Sequence, residues 1–420
     1  MVKKPIITER VNLFEPNDVI AMKFTISGQV EISRMIAAFD AAVKANETLN
    51  SKIVLSETGD VWYEPVNVER NIMRSVDGDW MEVLEEQQKI LFAIDQGEML
   101  RGFLFSGEEK SQVLLLAHHL AGDGKALVYF IEQMMRALNG EALPYQCLRT
   151  IYPEEIPARN QILLSIGLYL RYWNHRWKKC EKIFTMEDRC RIHQLYWNKN
   201  RMSMCYEHFS EKDLDRLRLK AKNVNVSLTS YLIMAFAKQI PDKIGIGLAI
   251  DGRLDSNRNM GNQTSGTKIV FRYHVMQSFE RNAQHFQKVL KRRLSSGWSK
   301  YFILYFMGKL HGSFVDSIYM NLYGGFENDV SRRMAVICGY ESTRAYYSFT
   351  NLTKLDIPYQ YGTYQISEFI FVPPYISYGE RMVGIATLDK EMNISYQVRA
   401  DENTELEMDK FYRIMEELKK

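Results

Sequence analysis

The sequence is short of several things, and each shortage removes a class of protein. Five cysteines in 420 residues, Cys147, Cys180, Cys190, Cys205 and Cys338, form no C-x-x-C pair and are odd in number. Neither a disulfide framework nor a cysteine-held metal is expected, and a reducing compartment fits. No window approaches the 18 or more uninterrupted apolar residues of a membrane-spanning helix; the nearest is ILLSIGLYL, ended by Arg171. The start, MVKKPIITER, has lysines with no apolar run behind them, which predicts no signal peptide and a cytoplasmic protein. A dominant charge is missing as well: 54 Lys and Arg stand against 51 Asp and Glu, a net charge of +3. That balance argues against a nucleic-acid binder. No fixed-period repeat or low-complexity block occurs, so a solenoid or propeller is not expected.

What is present suits a packed globular chain. Apolar residues make up 46% and charged residues 25%, and the length predicts two domains. An extended segment from Val19 to Ile26 leads into a stretch with Ile32, Met35, Ile36, Phe39 and Val43 at helical spacing. Segments 52–55 and 61–66 read as a hairpin, 80–93 as an amphipathic helix, and RGFLF and QVLLLAHH as strands. Leu127, Phe130, Ile131, Met134 and Leu138 line one face of a helix that Gly140 can terminate. The proline-bearing stretch LPYQCLRTIYPEEIPA reads as a crossover. Beyond it, 212–222, 228–239 and 276–295 read as helices. GIGLAI, AYYSFTN, YQISEFIFV, RMVGIATL and NISYQV read as strands, the last two joined as a hairpin, and a helix over 403–419 closes the chain. The expectation is an α/β chain with mixed sheets: a first lobe over 1–150, a crossover or lid region over 151–200, and a second lobe over 201–420.

The most informative residues form one turn, His118-His119-Leu120-Ala121-Gly122-Asp123-Gly124. A His-His-x-x-x-Asp-Gly string arises by chance in a chain of this composition very roughly once in two thousand. A buried strand delivers the histidines into a glycine-bearing loop and a helix follows at once. Such a turn projects side chains into a cleft. The plain alternative is a core histidine pair or an exposed loop without chemistry. Metal binding is not expected, because adjacent histidines rarely converge on one ion and no H-E-x-x-H or cysteine cluster supplies further ligands.

This motif resembles the hallmark of the superfamily of chloramphenicol acetyltransferases, condensation domains of nonribosomal peptide synthesis and related stand-alone acyltransferases. Two later stretches are similar to the family where it would place them: GLAIDGRLDSNRNMGNQTSG, and SFTNLTKLD, in which Thr353 stands where a glycine is common. No Asp-Phe-Gly-Trp-Gly motif occurs, which disfavours the plant alcohol-acyltransferase branch. The resemblance implies two chloramphenicol acetyltransferase-like lobes with a cleft or tunnel between them, and His119 as general base. Neutral imidazole suits that task at cytoplasmic pH. The amide of Gly124 is a candidate oxyanion donor, and Ser348, Thr350 and Asn351 are further candidates for oxyanion or substrate contacts. The resemblance makes Asp123 a structural residue paired with an arginine; Arg253 is the chosen partner, with Arg258 and Arg272 as alternatives. His118 is expected to stabilise the turn.

The implied reaction moves an acyl group from a thioester, on coenzyme A or an acyl-carrier protein, to an alcohol or amine. It needs no acyl-enzyme and no permanently bound cofactor. The alternatives are a carrier-protein-dependent, amide-forming condensation enzyme and a noncatalytic binding protein on the same scaffold. Two other stretches carry open readings. Residues 161–180 place leucine and isoleucine before Tyr172, Trp173 and Trp177 among Arg171, Arg176, Lys178 and Lys179. That pattern reads as an interfacial helix in peripheral contact with a membrane, or as a helix docked over the cleft. The aromatic stretch 298–326 reads as a tunnel lining for an acyl chain or as core packing.

Overall fold

The computed structural model describes residues 2–420 except 29, 67–68, 108, 162, 241, 341–345 and 377–378, together with all side chains in that set but those of 159 and 298. In chain order the strands are β1 (Lys4–Pro5), β2 (Val19–Ser27), β3 (Ser51–Leu55), β4 (Val61–Pro65), β5 (Ile72–Ser75), β6 (Leu100–Phe105), β7 (Lys110–His118), β8 (Met202–Phe209), β9 (Lys243–Asp251), β10 (Thr264–Arg272), β11 (Tyr346–Lys354), β12 (Gln360–Tyr361), β13 (Tyr364–Val372), β14 (Arg381–Leu388) and β15 (Glu391–Arg399). The helices are α1 (Ile32–Lys44), α2 (Trp80–Gln87), α3 (Gly124–Leu138), α4 (Leu164–Lys178), α5 (Met186–Trp197), α6 (Glu211–Asn223), α7 (Leu228–Ala237), α8 (Phe279–Ser295), α9 (Gly297–Lys309), α10 (Gly312–Leu322), α11 (Asp329–Cys338) and α12 (Thr404–Lys419). One six-stranded sheet has the order β12-β13-β2-β7-β6-β5 and the other β10-β9-β11-β14-β15-β8; β1, β4 and β3 form a small third sheet. Both large sheets are mixed: β5 runs parallel to β6, and β11 runs parallel to β9 and β14. The α/β class and the two-lobed plan are therefore as the sequence implies.

Local chemistry explains most boundaries. The α3 face that packs inward carries Leu127, Phe130, Ile131 and Met134, all buried. The helix stops where Gly140 takes φ +86° and Glu141 N–H reaches back to the carbonyl of Arg136, a left-handed cap that a Cβ would disfavour. The helix expected over 80–93 ends early, at Gln87. Its last carbonyl and two beyond it turn to a buried guanidinium: Arg101 donates to the carbonyls of Gln87, Ile90 and Leu91 at 3.1, 3.0 and 3.1 Å, and the backbone there tightens into short turns such as Ile90 N–H to the carbonyl of Gln87. The sequence reading names no strand over 264–272; in the structure this stretch is β10 and pairs with all of β9, from Thr264 opposite Asp251 to Arg272 opposite Lys243. Of the strand expected at 345–351, Ala345 lies outside the described residues and the rest belongs to β11.

The expected division at residue 200 is not how the core is divided. β12 and β13 leave the second lobe and complete the first lobe's sheet, β13 pairing antiparallel with β2 over Gln365–Ser367 and Ile370–Val372. Hydrophobic alternation shows that a segment is a strand but not which sheet it joins. A bulge between these registers holds Glu368 at φ +48°, with its carboxylate bonded to buried Lys23 and to Thr25 of β2. Phe306, Phe314, Val315, Ile318 and Met320 also pack into the first lobe's core. The aromatic stretch 298–326 is thus largely core packing. The second core joins Phe209, Leu232, Phe236, Phe286, Phe349 and Phe411 around the other sheet.

Thr353 occupies a second irregularity. It has φ +62° at the point where the β11–β14 register shifts, a left-handed conformation that is costly for a β-branched residue. Strain relief of about 1–2 kcal/mol opposes the roughly 0.5–1 kcal/mol that glycine's extra unfolded freedom costs. Thr353→Gly is therefore expected to raise stability by about 0.5 kcal/mol, measured by urea unfolding against the parent; a less stable variant would show that the turn is unstrained.

Candidate active site

The turn is anchored before any side chain of the motif acts. β7 lies between β2 and β6, and its end is pinned from both sides: His118 N–H donates to the carbonyl of Met99 and His119 N–H to that of Asp18, each at 3.0 Å. Ala121 N–H closes back onto the carbonyl of His118 at 2.8 Å, and the buried Tyr63 hydroxyl donates to the carbonyl of Leu120 at 2.9 Å. The loop has little freedom left when α3 begins.

Asp123 caps α3 and joins the lobes. Its Oδ1 accepts from Ala126 N–H at 2.9 Å, satisfying one of the helix's free first-turn donors. The same oxygen accepts from Arg253 Nη2 at 3.0 Å, and Oδ2 accepts from Gln263 N–H at 2.9 Å. Both partners sit on the 252–263 loop that connects β9 to β10. The carboxylate and the guanidinium are almost wholly buried. Burial works against the Arg253 charge, but Asp123 and then Asp251 outweigh it and raise the guanidinium's pKa. Asp251 in turn accepts from Lys125 of α3 at 2.9 Å, a second ionic tie across the same seam. The alternative arginines are engaged elsewhere: Arg258 with Glu132 and Asp356, Arg272 with Asp242.

His119 is partly exposed although it sits deep in the molecule. Its Nδ1 is sealed from solvent with no hydrogen bond of ordinary geometry, so the accessible edge of the ring is the one that carries Nε2. Burial lowers its pKa below the ordinary 6.5, opposed by the nearby Asp123 carboxylate and by the carbonyls of His119 itself and Gly122. The ring is therefore neutral at pH 7, while a proton that arrives there meets compensating negative charge. His118 has no such access. It is buried, its Nδ1 accepts from Leu120 N–H at 3.2 Å, and its Nε2 lies 3.3 Å from Arg189 Nη2. Burial and then Arg189 push its pKa well below 6.5. Protonation would set N–H groups against both donors, so the neutral ring is favoured, its Nδ1 accepting from the turn's own backbone.

The late candidates separate by strand alternation. Tyr347, Phe349 and Asn351 point to the helical side of the second sheet, where Tyr347 and Phe349 enter its core. Asn351 Nδ2 donates to Thr229 of α7 at 3.0 Å and its Oδ1 accepts from Thr353 N–H at 2.7 Å. Asn351 is thereby removed from the candidate site: it fixes the bulge near the end of β11. Ser348 and Thr350 share the opposite face with Leu352, and that face meets the motif. A Cβ on Gly124 would lie 2.9 Å from Leu352 and 3.3 Å from Phe371, so glycine lets the start of α3 approach β11 and β13. The amides of Gly124 and Lys125 make no hydrogen bond among the described residues, as the first N–H groups of a helix do. Three contributors were not among the sequence candidates: the Gln263 backbone amide, within the GLAIDGRLDSNRNMGNQTSG stretch that resembles the family, Tyr63, and Arg189, whose Nε and Nη1 are taken by the carbonyls of Leu13 and Phe92. A cavity of about 750 Å³ lies elsewhere, bordered by Arg281, Lys288, Arg292 and Arg293 of α8. Among the described residues no group of His, Cys, Asp and Glu is arranged to hold a metal ion.

No protein-family model matches the sequence, and no curated protein matches it. Solved structures do. Polyketide synthase associated protein 5 from Mycobacterium tuberculosis aligns with a TM-score of 0.64 at 12% identity, covering 99% of this chain and 98% of that one. The first condensation domain of the calcium-dependent antibiotic synthetase, in complex with a substrate analogue, gives 0.66 at 12% identity over 100% and 96%. The epimerization domain from the third module of tyrocidine synthetase B gives 0.62 at 15% identity over 100% and 97%. The fold is that of condensation domains. At such identities the likeness establishes architecture, and the reaction has to be argued from side chains.

The Asp123–Arg253 contact makes a quantitative prediction. Arg253→Ala is expected to cost about 3–5 kcal/mol, because it leaves the buried Asp123 carboxylate without its cation, and Asp123→Ala less, because Arg253 keeps Asp251 as a partner at 3.2 Å. The double variant should lose clearly less than the two combined. Urea unfolding of the four proteins measures this; strict additivity would mean that the two groups are not coupled.

Proposed function

We propose that the protein is an acyltransferase that moves an acyl group from a thioester to an alcohol or amine, with His119 as general base. The observation that carries this reading is an imidazole with one nitrogen sealed from solvent and its other edge accessible, on a turn restrained from both lobes. In this scheme Nε2 takes the proton of the acceptor's O–H or N–H as that atom attacks the thioester carbonyl. The tetrahedral oxyanion forms close to the free amide of Gly124, with Ser348 and Thr350 as further donors from the facing strand. The intermediate then collapses with cleavage of the C–S bond, and the departing thiolate takes the proton back from the imidazolium. The Asp123 carboxylate steadies that transient charge without receiving the proton. No acyl-enzyme and no metal enters the scheme.

The condensation-domain likeness gives a second reading of the donor, an acyl group on a carrier protein, with coenzyme A as the first. The chain's content of 12% aromatic residues and 21 methionines suits an apolar acyl group or acceptor, and ester formation on an alcohol is the preferred outcome over amide formation. A noncatalytic binding protein on this scaffold is the competing class.

Thioester consumption with mixed alcohols and amines tests the proposal, with the donor supplied on coenzyme A in one arm and on a carrier protein in the other. His119→Ala is expected to lower turnover about 10²-fold or more, and unchanged turnover would assign the activity, or the binding, to something other than this base. The pH profile supplies a second check. A base with a depressed pKa stays neutral to lower pH, so the acidic limb of kcat/KM should fall below pH 6.5 in the parent; a limb above 6.5 would contradict the buried imidazole as the titrating group.

A further inference from the structure

The stretch 161–180 carries both an interfacial and a docked reading, and the structure gives it a docked face and an uncovered one; residue 162 lies outside the described residues. α4 buries Leu170, Trp173 and Trp177. Trp177 stacks on Phe314 with ring centroids 5.2 Å apart and donates from Nε1 to Ser313 Oγ at 2.9 Å. Asn174 ties the same side to the turn between α9 and α10: it donates to the carbonyl of Lys309 and accepts from His311 N–H, both at 2.9 Å. The helix is fixed on the first lobe, so its outer face is presented rigidly.

That outer face divides along its length. Leu163, Leu164, Leu168, Tyr169 and Tyr172 are exposed, Leu164 by 81% and Leu163 by 63%. Leu164, Leu168 and Tyr172 follow one another at four-residue spacing along one stripe. Exposed apolar side chains are ordinary when scattered, but a contiguous group marks an interaction surface. The other end of the same face holds Arg171, Arg176, Lys178 and Lys179, all exposed. The helix contains no Asp or Glu, and among the described residues none of these four cations pairs with a carboxylate; Arg176 reaches only the Tyr172 hydroxyl, at 3.3 Å.

We propose that α4 seats the protein on an anionic lipid surface, its first two turns entering the boundary between headgroups and acyl chains and its last turns meeting lipid phosphates. The order along the helix, leucine, then tyrosine, then arginine and lysine, follows the polarity gradient from the edge of the hydrocarbon through the interface to the charged surface. A second copy of the chain fits poorly. Antiparallel α4 helices would set leucines against lysines, and parallel ones would set cation against cation. The inference is independent of the chemistry proposed for His119.

Sedimentation of the full chain with sucrose-loaded vesicles tests it, comparing phosphatidylcholine alone with phosphatidylcholine containing phosphatidylglycerol. Binding to the anionic vesicles should be at least tenfold stronger and weaken as salt shortens the screening length. Leu164→Ser with Leu168→Ser should reduce binding about tenfold or more, and Arg176→Gln with Lys179→Gln should reduce it only for anionic vesicles. All four side chains are exposed, so unchanged thermal unfolding is expected and would confirm that the variants are folded. Thioester turnover without vesicles should also be unchanged, which separates failure here from failure of the acyl-transfer reading. The proposal is overturned if the wild type sediments with neither vesicle, if the serine variant binds as well as the parent, or if the leucines instead hold a dimer that the serine variant converts to monomer.

Discussion

One carboxylate carries the organisation of this site. Asp123 accepts from its own helix through Ala126, from the Arg253 side chain and from the Gln263 backbone. A capping residue normally serves only its own helix; here the same oxygens bind the loop of the opposite lobe. The position of the His119 ring is thereby tied to how the lobes sit against each other. The energy is concentrated because the pair is buried, where an unpartnered charge is expensive and a satisfied one restrictive. Lys125 and Asp251 reinforce the same seam from the more exposed side.

The two adjacent histidines show how a single residue step separates roles. His118 ends a strand, and its ring is closed in by a backbone amide and a guanidinium. His119 begins the loop, and its ring keeps one edge accessible while losing solvent at the other. Burial lowers both pKa values, but only His119 has a neighbouring carboxylate to offset the charge of a captured proton. A base needs both properties: it must be unprotonated at rest and able to hold a proton briefly.

Much of this was legible in the sequence where local patterning decides structure. The β7–turn–α3 unit, the β14–β15 hairpin and the terminal helix follow from apolar periodicity and glycine placement. The motif points to the turn, and Arg253 is the partner it implies for Asp123. Long-range pairing was not legible. YQISEFIFV reads equally well as a strand of either sheet, and only the structure places it beside β2. Asn351 looked like a site residue because of its neighbours in sequence, yet one step of strand alternation turns it to the helical side. Tyr63, Arg189 and Gln263 reach the turn through tertiary contacts, one of them by a backbone atom whose side-chain identity carries no information. Thr353 is the reverse case: its β-branched side chain argues against the left-handed backbone it adopts, and only the glycine common at that place in the resembling family points to it.

The path of β13 sets a condition on how the molecule can be assembled. Its strand is the neighbour that β2 lacks on one side, and it lies more than three hundred residues downstream. During synthesis the amino-terminal sheet keeps an unpaired edge until the segment past residue 372 has left the ribosome. An open edge of that kind invites association with other chains. The lobes therefore are not modules that recombination could exchange one at a time, because a foreign carboxyl-terminal half would have to supply a strand matched to the residues of β2.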